Sequence, residues 1–144
     1  MQTVDLDELY GENADIEKKR YERISEAMIE KFGHSLYEFY SCPGRSEIIG
    51  NHTDHNGGKV IAASINMDTI AAAAKNDQSY IRIISEGHKG RICVDTQRVL
   101  NTLDNFDDLS NTERLVAGVC RAVINMGYNI GGFDAYVTSE VVPS

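Results

Sequence analysis

The sequence has no tryptophan, two prolines and three cysteines among its 144 residues. Cys42, Cys93 and Cys120 are too few and too widely spaced for a disulfide framework, and no C-x-x-C pair is present. We therefore expect reduced, mostly buried thiols. Basic residues are in the minority, since 14 Lys and Arg stand against 22 Asp and Glu. The resulting net charge of −8 offers no overall basic footprint for nucleic acid.

Long apolar runs are absent as well. No stretch approaches the ~18 consecutive apolar residues that a membrane-spanning helix needs. The first twelve residues, MQTVDLDELYGE, are acidic and lack the apolar core of a signal peptide. Because 42% of the residues are hydrophobic and 25% are charged, a globular fold is expected rather than disorder. The prediction is one cytoplasmic domain that binds neither nucleic acid nor a membrane, with its oligomeric state left open.

Two helices are predicted from periodicity and capping. Residues 1–13 read as a loosely held arm, after which Asn13 caps a helix over residues 14–32 that Gly33 ends. The charges of residues 17–23 predict a solvated face on this helix. Its buried stripe is predicted to contain Tyr21, Ile24, Met28 and Phe32.

Ser110 and Glu113 form a capping box that opens a second helix, which Gly127 ends. The apolar face of this helix is predicted to contain Leu115, Val116, Val119, Cys120, Val123 and Ile124.

The remaining apolar segments predict strands. Residues 36–41 favour a strand, which Pro43 and Gly44 should break. Residues 59–65 and the alanine-rich residues 68–75 are ambiguous between strand and helix. Residues 79–85 and 91–95 predict a hairpin, with Cys93 in the core, and a strand near the C-terminus places Phe133, Ala135 and Val137 on one face. Strands before and between helices indicate an α+β fold.

The most polar stretch is GNHTDHNGG, residues 50–58, between apolar residues on both sides. One interpretation is a metal site formed by His52, Asp54 and His55, although adjacent loop residues seldom converge on one ion. A second is a structural turn, because Asn and Gly suit turn conformations.

A third interpretation is a site for a hydroxyl-rich ligand such as a sugar. Asp54 can accept two hydroxyl hydrogen bonds, His52 can donate or accept, and Asn51 can do both. Arg45 carries a permanent charge that suits a phosphate or a developing negative charge.

The segment PGRSEIIGNHTDHNGG, residues 43–58, resembles the galactokinase signature of the GHMP kinase superfamily. That signature runs Pro-Gly-Arg, three residues, Ile-Gly-Glu-His-Thr-Asp-Tyr and then Asn-Gly-Gly or similar. Residues 115–144 are similar to the family's helix and to the strand that leads into its second motif, the loop that wraps the ATP phosphates. The matching signature residues are Pro43, Gly44, Arg45, Ile49, Gly50, His52, Thr53, Asp54, Asn56, Gly57 and Gly58.

The resemblance implies a ribosomal-protein-S5-like first domain over residues 1–144, interrupted before the phosphate loop. It also implies ATP- and Mg²⁺-dependent phosphorylation of a sugar at its anomeric hydroxyl, with sugar and ATP as the small-molecule partners. Arg45 would stabilise the phosphoryl group in transfer. Asn51, His52, Thr53 and Asp54 would face the sugar. The isolated chain should be inactive and should hold no tightly bound cofactor. No metal site is expected, because the candidate ligands are adjacent in sequence and no second cluster supports them.

Several residues depart from the family pattern. Asn51 replaces a Glu, His55 a Tyr and Glu47 an Asn, while Thr112 and Leu115 occupy positions where the family carries aromatic residues against the nucleotide base. The family's catalytic Asp would lie beyond residue 144. Two alternatives therefore stay open: a non-catalytic, sugar-binding regulatory member of the same family, and an unrelated metal-binding domain.

Overall fold

The computed structural model describes residues 5–50, 57–101 and 106–141, and it contains a five-stranded sheet with helices on both faces. The α+β class predicted from the sequence is confirmed. Within these ranges, no helix combines the length and the apolar character that crossing a membrane requires. The elements in chain order are α1 (Leu6–Tyr10), a 3₁₀ turn (Gly11–Asn13), α2 (Ala14–Phe32), β1 (Glu38–Ile49), β2 (Ile61–Lys75), β3 (Tyr80–Ser85), β4 (Ile92–Asp95), α3 (Thr96–Asn101), α4 (Asn111–Asn125) and β5 (Phe133–Ser139).

The strand order in the sheet is β1-β2-β5-β3-β4. Neighbouring strands are antiparallel except β3 and β5, which run parallel. The last strand in the chain therefore lies at the centre of the sheet, between the long β1–β2 hairpin and the short β3–β4 hairpin. Because β5 pairs on both edges, it holds the two hairpins in one sheet.

Helix α2 covers one face of the sheet, and its predicted bounds are confirmed. Gly33 ends it in the left-handed conformation, at φ 76°, and donates its N–H to the Ile29 carbonyl. Ile24 and Met28 are fully buried against small residues of β2, and Tyr21 and Phe32 pack at the margin. The predicted side-chain cap by Asn13 is wrong, because the preceding 3₁₀ turn gives Asn13 a helical backbone and its side chain makes no capping bond.

Two further expectations for the N-terminal region are wrong. Residues 6–13 are helical rather than a loose arm, and Tyr10 donates a hydrogen bond to Asp68 in the sheet. The charges of residues 17–23 do not all face solvent, since Glu17 and Arg20 are buried beside that aspartate. Both corrections have the same cause: a buried carboxylate in β2 attracts donors from the helices packed on it.

Helix α4 packs on the other face, near β3 and β4. The predicted capping box is confirmed, with the Ser110 hydroxyl accepting from the Glu113 N–H and Glu113 accepting from the Ser110 N–H. The predicted apolar face is partly wrong, because Leu115 and Val119 are 69% and 58% exposed. Apolar residues occupy more than one stripe of this helix, and the stripe that contacts the sheet has the small residues Ala117 and Cys120. The core cluster here consists of Ile81, Val94, Val99, Phe106, Ala117 and Cys120.

The β1–β2 hairpin is longer than the sequence predicts. Pro43 and Gly44 do not end β1, which continues to Ile49. Since β1 is an edge strand, a proline that cannot donate a ladder hydrogen bond is tolerated there. The two ambiguous segments form one strand, β2, whose alanines pair with β1 and β5. The register also confirms that Phe133, Ala135 and Val137 share one face of β5.

The cysteines are more exposed than expected. Only Cys120 of the three is buried, and burial raises the pKa of its thiol. Cys42 and Cys93 are exposed, so the prediction of mostly buried thiols is wrong, as is the prediction that Cys93 lies in the core. Cys42 lies on the edge strand β1, and Cys93 lies on the face of the edge strand β4 that is opposite to the buried Val94.

Candidate functional site

The signature residues lie on the outer part of the β1–β2 hairpin. Residues 45–49 of β1 pair with residues 61–64 of β2, and we call this pair of segments the ribbon. Apolar side chains of the ribbon face solvent: Ile48 and Ile49 are each 63% exposed and Ile61 is 55% exposed. The rest of the sheet, with α2 and α4, is called the body. Gly50, the first residue of the polar stretch, directly follows β1 at the end of the ribbon that is farthest from the body.

An irregularity in the register separates the ribbon from the body. Pro43 pairs with Asp68, and the next pair is Arg45 with Ser64, so three residues of β2 lie opposite Gly44 alone. Such bulges bend a strand and redirect its side chains. A Cβ at Gly44 would lie 2.9 Å from Val141 Cγ2 and 3.1 Å from two side-chain carbons of Ile65. Glycine at this point of the Pro-Gly-Arg motif lets side chains from the bulge and from the segment after β5 pack close to the backbone.

Arg45 is the predicted cation of the site, and it follows the bulge directly. Its side chain is 76% exposed, and Nη2 lies 3.4 Å from Glu47 Oε1. This distance is at the long limit of a hydrogen bond, so the contact restrains the guanidinium weakly. Arg45 therefore has a backbone fixed by the bulge and a side chain largely in solvent.

The predicted sugar-binding residues Asn51, His52, Thr53 and Asp54 lie outside the described residues. His55 and Asn56, which belong to the metal and turn interpretations, lie outside them too. The base of the loop is described: Gly50 has φ 96°, and a Cβ there would collide with the Lys59 carbonyl oxygen. The two ends of the polar loop therefore approach each other at the tip of the ribbon, and only glycine fits at the first of them.

Asp68 is a buried residue next to the bulge that the sequence reasoning missed. Its carboxylate accepts hydrogen bonds from the Ser41 hydroxyl, from Tyr10 Oη at 2.7 Å and from Arg20 Nη1 at 2.6 Å. Arg20 also pairs with Glu17 at 3.0 Å. This cluster joins both N-terminal helices to β1 and β2 at the point where the ribbon leaves the body.

The charges of this cluster are stabilised by mutual contact. Burial by itself would raise the pKa of the Asp68 carboxyl, but the hydrogen bonds from Ser41, Tyr10 and Arg20 outweigh it and hold that pKa below its usual range. Burial raises the pKa of the Tyr10 phenol, as do its hydrogen bonds with Tyr21 and Asp68. At neutral pH the Asp68 carboxyl is therefore ionised, and it accepts hydrogen bonds from neutral hydroxyl groups and from one buried guanidinium.

A sequence signal for this cluster was present in the helical spacing. Glu17 and Arg20 fall on the same stripe of α2 as Ile24 and Met28, which positions three and four residues apart would have indicated. Asp68 is likewise a single carboxylate in a long apolar and alanine-rich strand. Charged residues that interrupt two apolar patterns are candidates for a buried pair.

The two residues expected near a nucleotide base lie in different surroundings. Thr112 lines a cavity of about 570 Å³ between the β3–β4 hairpin and the start of α4, whereas Leu115 is exposed on the helix and is not part of the cavity wall. The described wall carries no aromatic ring. It carries instead the basic side chains of His88, Lys89 and Arg91 beside Ser85 and Ser110.

No group of three or more metal-binding side chains comes together within residues 5–50, 57–101 and 106–141.

The comparisons with known proteins match the same part of the chain. Residues 27–75 match the model of the galactokinase galactose-binding signature, a range that includes the end of α2, the whole β1–β2 hairpin and the polar loop. The galactokinase of Enterococcus faecalis is 34% identical over 114 residues, which is 78% of this chain and 29% of that protein. The galactokinase of Streptococcus suis is 31% identical over 123 residues, covering 83% of this chain and 30% of that protein.

The chain belongs to the galactokinase family of GHMP kinases. It resembles the crystal structure of Lactococcus lactis galactokinase complexed with galactose, with a TM-score of 0.69 and 28% identity over 87% of this chain and 32% of that one. Mevalonate kinase of Methanococcus jannaschii shares the fold, with a TM-score of 0.58 at 12% identity over 77% of this chain and 35% of that one. The chain thus corresponds to an N-terminal segment of the family and spans about a third of the length of the relatives it matches.

Proposed function

We propose that the chain is the sugar-binding segment of a longer kinase that transfers a phosphoryl group from ATP to the anomeric hydroxyl of galactose or a related sugar. Residues 1–144 would form part of the first domain, and other parts of the longer protein would supply the phosphate loop and the second domain. The galactose-binding signature over residues 27–75 and the likeness to a galactokinase complexed with galactose support the sugar class.

The observation that carries the proposal is the contact between Gly44 and Val141. Val141 follows β5, and its Cγ2 is the atom closest to a Cβ built at Gly44. The segment that follows β5 therefore lies beside Gly44, the residue before Arg45. Phosphoryl transfer needs both substrates held in line with a cation nearby, and a convergence of these segments would satisfy that need.

Each site residue then has a chemical role. Arg45 stabilises the charge that develops on the transferring phosphoryl group, because its guanidinium is always protonated and directs several donors at once. Asn51, His52, Thr53 and Asp54 hold the sugar, with the Asp54 carboxylate accepting hydrogen bonds from ring hydroxyls. ATP and Mg²⁺ bind mainly to other parts of the longer protein. The chain by itself is inactive.

The test compares the chain with a full-length protein that contains it, in the presence of ATP, Mg²⁺ and a panel of hexoses. Galactose phosphorylation by the full-length protein and none by the chain supports the proposal. Arg45→Ala should lower kcat about 100-fold, the usual size of such an electrostatic loss. The control is Arg23→Ala, which removes an exposed arginine of α2 that pairs with Glu86. This variant should leave kcat unchanged. Equal kcat values for the two variants, or turnover by the isolated chain, would contradict these roles.

Asn51 gives a second test of the same pocket. An amide accepts a sugar hydroxyl less strongly than a carboxylate, since hydrogen bonds to charged groups are worth about 1.5–3 kcal/mol against about 1 kcal/mol for neutral ones. Asn51→Glu should therefore improve galactose binding about tenfold relative to other hexoses. An unchanged order of preference, together with loss of all sugar binding in Asp54→Ala, would show that Asn51 does not face the sugar.

One observation favours a second function, a sugar-binding regulatory protein without kinase activity. The cavity beside Thr112 has no aromatic ring in its described wall, where the family places aromatic residues against the nucleotide base. Sugar binding by the full-length protein without ATP turnover would support this function. Stoichiometric zinc retained after mild chelation would instead favour the metal-binding interpretation of His52, Asp54 and His55.

A further inference from the structure

We propose that Asp68 and Arg20 are positioning residues for Arg45. In this proposal the buried pair determines where the ribbon leaves the body, and so determines where the guanidinium of Arg45 acts. The inference rests on the proposed function for its catalytic consequence. Its structural part, that the pair controls the backbone at Gly44 and Arg45, stands on the contacts alone.

The first step of the argument is the position of Asp68 in the register. Asp68 is paired with Pro43 and is the last paired residue of β2 on the body side of the bulge. The next paired residue of β1 is Arg45 itself. Any shift of Asp68 along or out of the sheet therefore moves the bulge, and the bulge determines the direction in which β1 continues.

The second step is the number of elements that the pair connects. Arg20 Nη1 binds Asp68 Oδ1 at 2.6 Å, and Arg20 Nη2 binds the Asp68 carbonyl oxygen at 2.8 Å. The same carbonyl accepts from the Glu140 N–H at 3.0 Å, one residue before Val141. Glu140 Oε2 also lies 3.6 Å from Arg20 Nη1. The pair thus holds the bulge in β2 and the segment after β5, which are the two neighbours that pack against Gly44.

The third step is the contrast in exposure between the pair and the residue it positions. The side chains of Arg20 and Asp68 are 4% and 8% exposed, whereas the side chain of Arg45 is 76% exposed. A long exposed side chain has little to fix it except its own backbone. A displacement of a catalytic group by about 1 Å can lower the rate about 100-fold. A rigid backbone at Arg45 therefore has catalytic value.

A matched control exists elsewhere in the sheet. Asp134 is fully buried on the same face, and it accepts two hydrogen bonds from Arg82 at 2.6 Å each and one from His34 at 2.7 Å. It pairs with Ala74, which lies six residues from Asp68 along β2, or about 20 Å. Asp134→Asn therefore removes a similar buried charge at a distance from the bulge.

The experiment compares Asp68→Asn with Asp134→Asn in two measurements. The first is the amide chemical shifts of Gly44 and Arg45 in the 144-residue chain by heteronuclear NMR. The second is the steady-state kinetics of galactose phosphorylation by a full-length protein that contains the chain. We expect Asp68→Asn to move both amide resonances and to lower kcat at least about tenfold with KM changed less than about threefold. We expect Asp134→Asn to leave these resonances in place and to change kcat less than about twofold.

The outcomes separate a positioning role from a purely structural one. Equal shifts of the Gly44 and Arg45 resonances in the two variants, or no shift in either, would overturn the proposal, as would equal losses of kcat per folded molecule. If Asp68→Asn does not fold, Ser41→Ala and Tyr10→Phe each remove one donor to Asp68, and His34→Ala removes one donor to Asp134 as their control. The same resonances then decide the result.

The proposal can also fail or succeed independently of the proposed function. If the unsubstituted full-length protein phosphorylates no sugar, the kinase function fails, while the amide shifts still decide whether Asp68 controls the bulge. If the kinase is active and the shifts move without any change in kcat, the kinase function survives and the positioning role is overturned.

Discussion

The body and the ribbon of the β1–β2 hairpin are built from the same two strands but are held in different ways. In the body, β2 is paired on both edges, α2 packs on it, and Ile70 and Ala72 are fully buried. In the ribbon, the two segments pair with each other while Ile48, Ile49 and Ile61 face solvent. Arg45, the candidate site residue that the structure describes, lies on the ribbon. Buried packing and candidate chemistry thus lie in different parts of one hairpin, and the buried Asp68 cluster lies between them.

The largest expected effect is the loss of a buried carboxylate from the body. Asp134→Ala leaves the guanidinium of Arg82 without its main partner and should lower the free energy of unfolding by about 3–5 kcal/mol. Urea denaturation followed by circular dichroism measures the change. Asp77→Ala, at an exposed aspartate, is the control and should stay within about 0.5 kcal/mol. A loss below about 1 kcal/mol for Asp134→Ala would mean that the stability of the body does not depend on the contacts of Asp134 with Arg82 and His34.

A slightly smaller effect is expected from the apolar core under α2. Ile24 is 0% exposed and Ile16, on the same helix, is 64% exposed. Ile24→Ala should cost about 2–4 kcal/mol because it removes buried methyl groups and leaves a cavity. Ile16→Ala should change stability by less than about 0.5 kcal/mol. Similar losses for both variants in thermal or urea denaturation would show that α2 is not packed by the face described here.

The pH dependence of stability sharpens the comparison through Asp134. Burial would raise the pKa of its carboxyl, but the hydrogen bonds from Arg82, His34 and Asn76 hold that pKa below its usual range. A carboxyl with a lowered pKa in the folded state stabilises it above the unfolded pKa of about 3.9, and this contribution is lost as the pH falls further. The stability difference between the wild-type protein and Asp134→Asn should therefore be largest near pH 7 and shrink at pH 3. A difference that stays constant between these pH values would contradict the lowered pKa.

The smallest effect is expected on the ribbon. Ile48→Ala and Ile61→Ala each remove a large apolar side chain, yet both residues are more than half exposed. Each substitution should change the free energy of unfolding of the chain by less than about 0.5 kcal/mol. A loss of 2 kcal/mol or more, comparable with Ile24→Ala, would remove the distinction between ribbon and body.

Local sequence patterns predicted the elements whose structure depends on nearby residues. The bounds of α2, the capping box of Ser110 and Glu113, and the β3–β4 hairpin follow from helical periodicity, side-chain capping and a short glycine-containing turn. The signature over residues 43–58 identified the family from a short, dense motif. These features depend on contacts within a few residues or on a short contiguous motif.

Features that depend on distant parts of the chain were predicted poorly. Pro43 lies within a strand because β1 is at the edge of the sheet. Cys93 is exposed because it lies on the face of β4 opposite to the buried Val94. Leu115 and Val119 are exposed because only one of the apolar stripes of α4 contacts the sheet. Edge position and choice of stripe follow from the arrangement of the elements, which no local pattern contains.

The sequence by itself determined the family, the α+β class and the residues with candidate chemistry, because a signature and a hydrophobic period are local properties. Only the tertiary structure decided that β5 enters the centre of the sheet and that Val141 packs against Gly44. It also decided that Arg20 reaches Asp68, 48 residues away in the chain. A buried charge is tolerated only where a partner of opposite charge lies within contact distance. For Asp68 that partner is Arg20, and the packing of α2 across the sheet places it there.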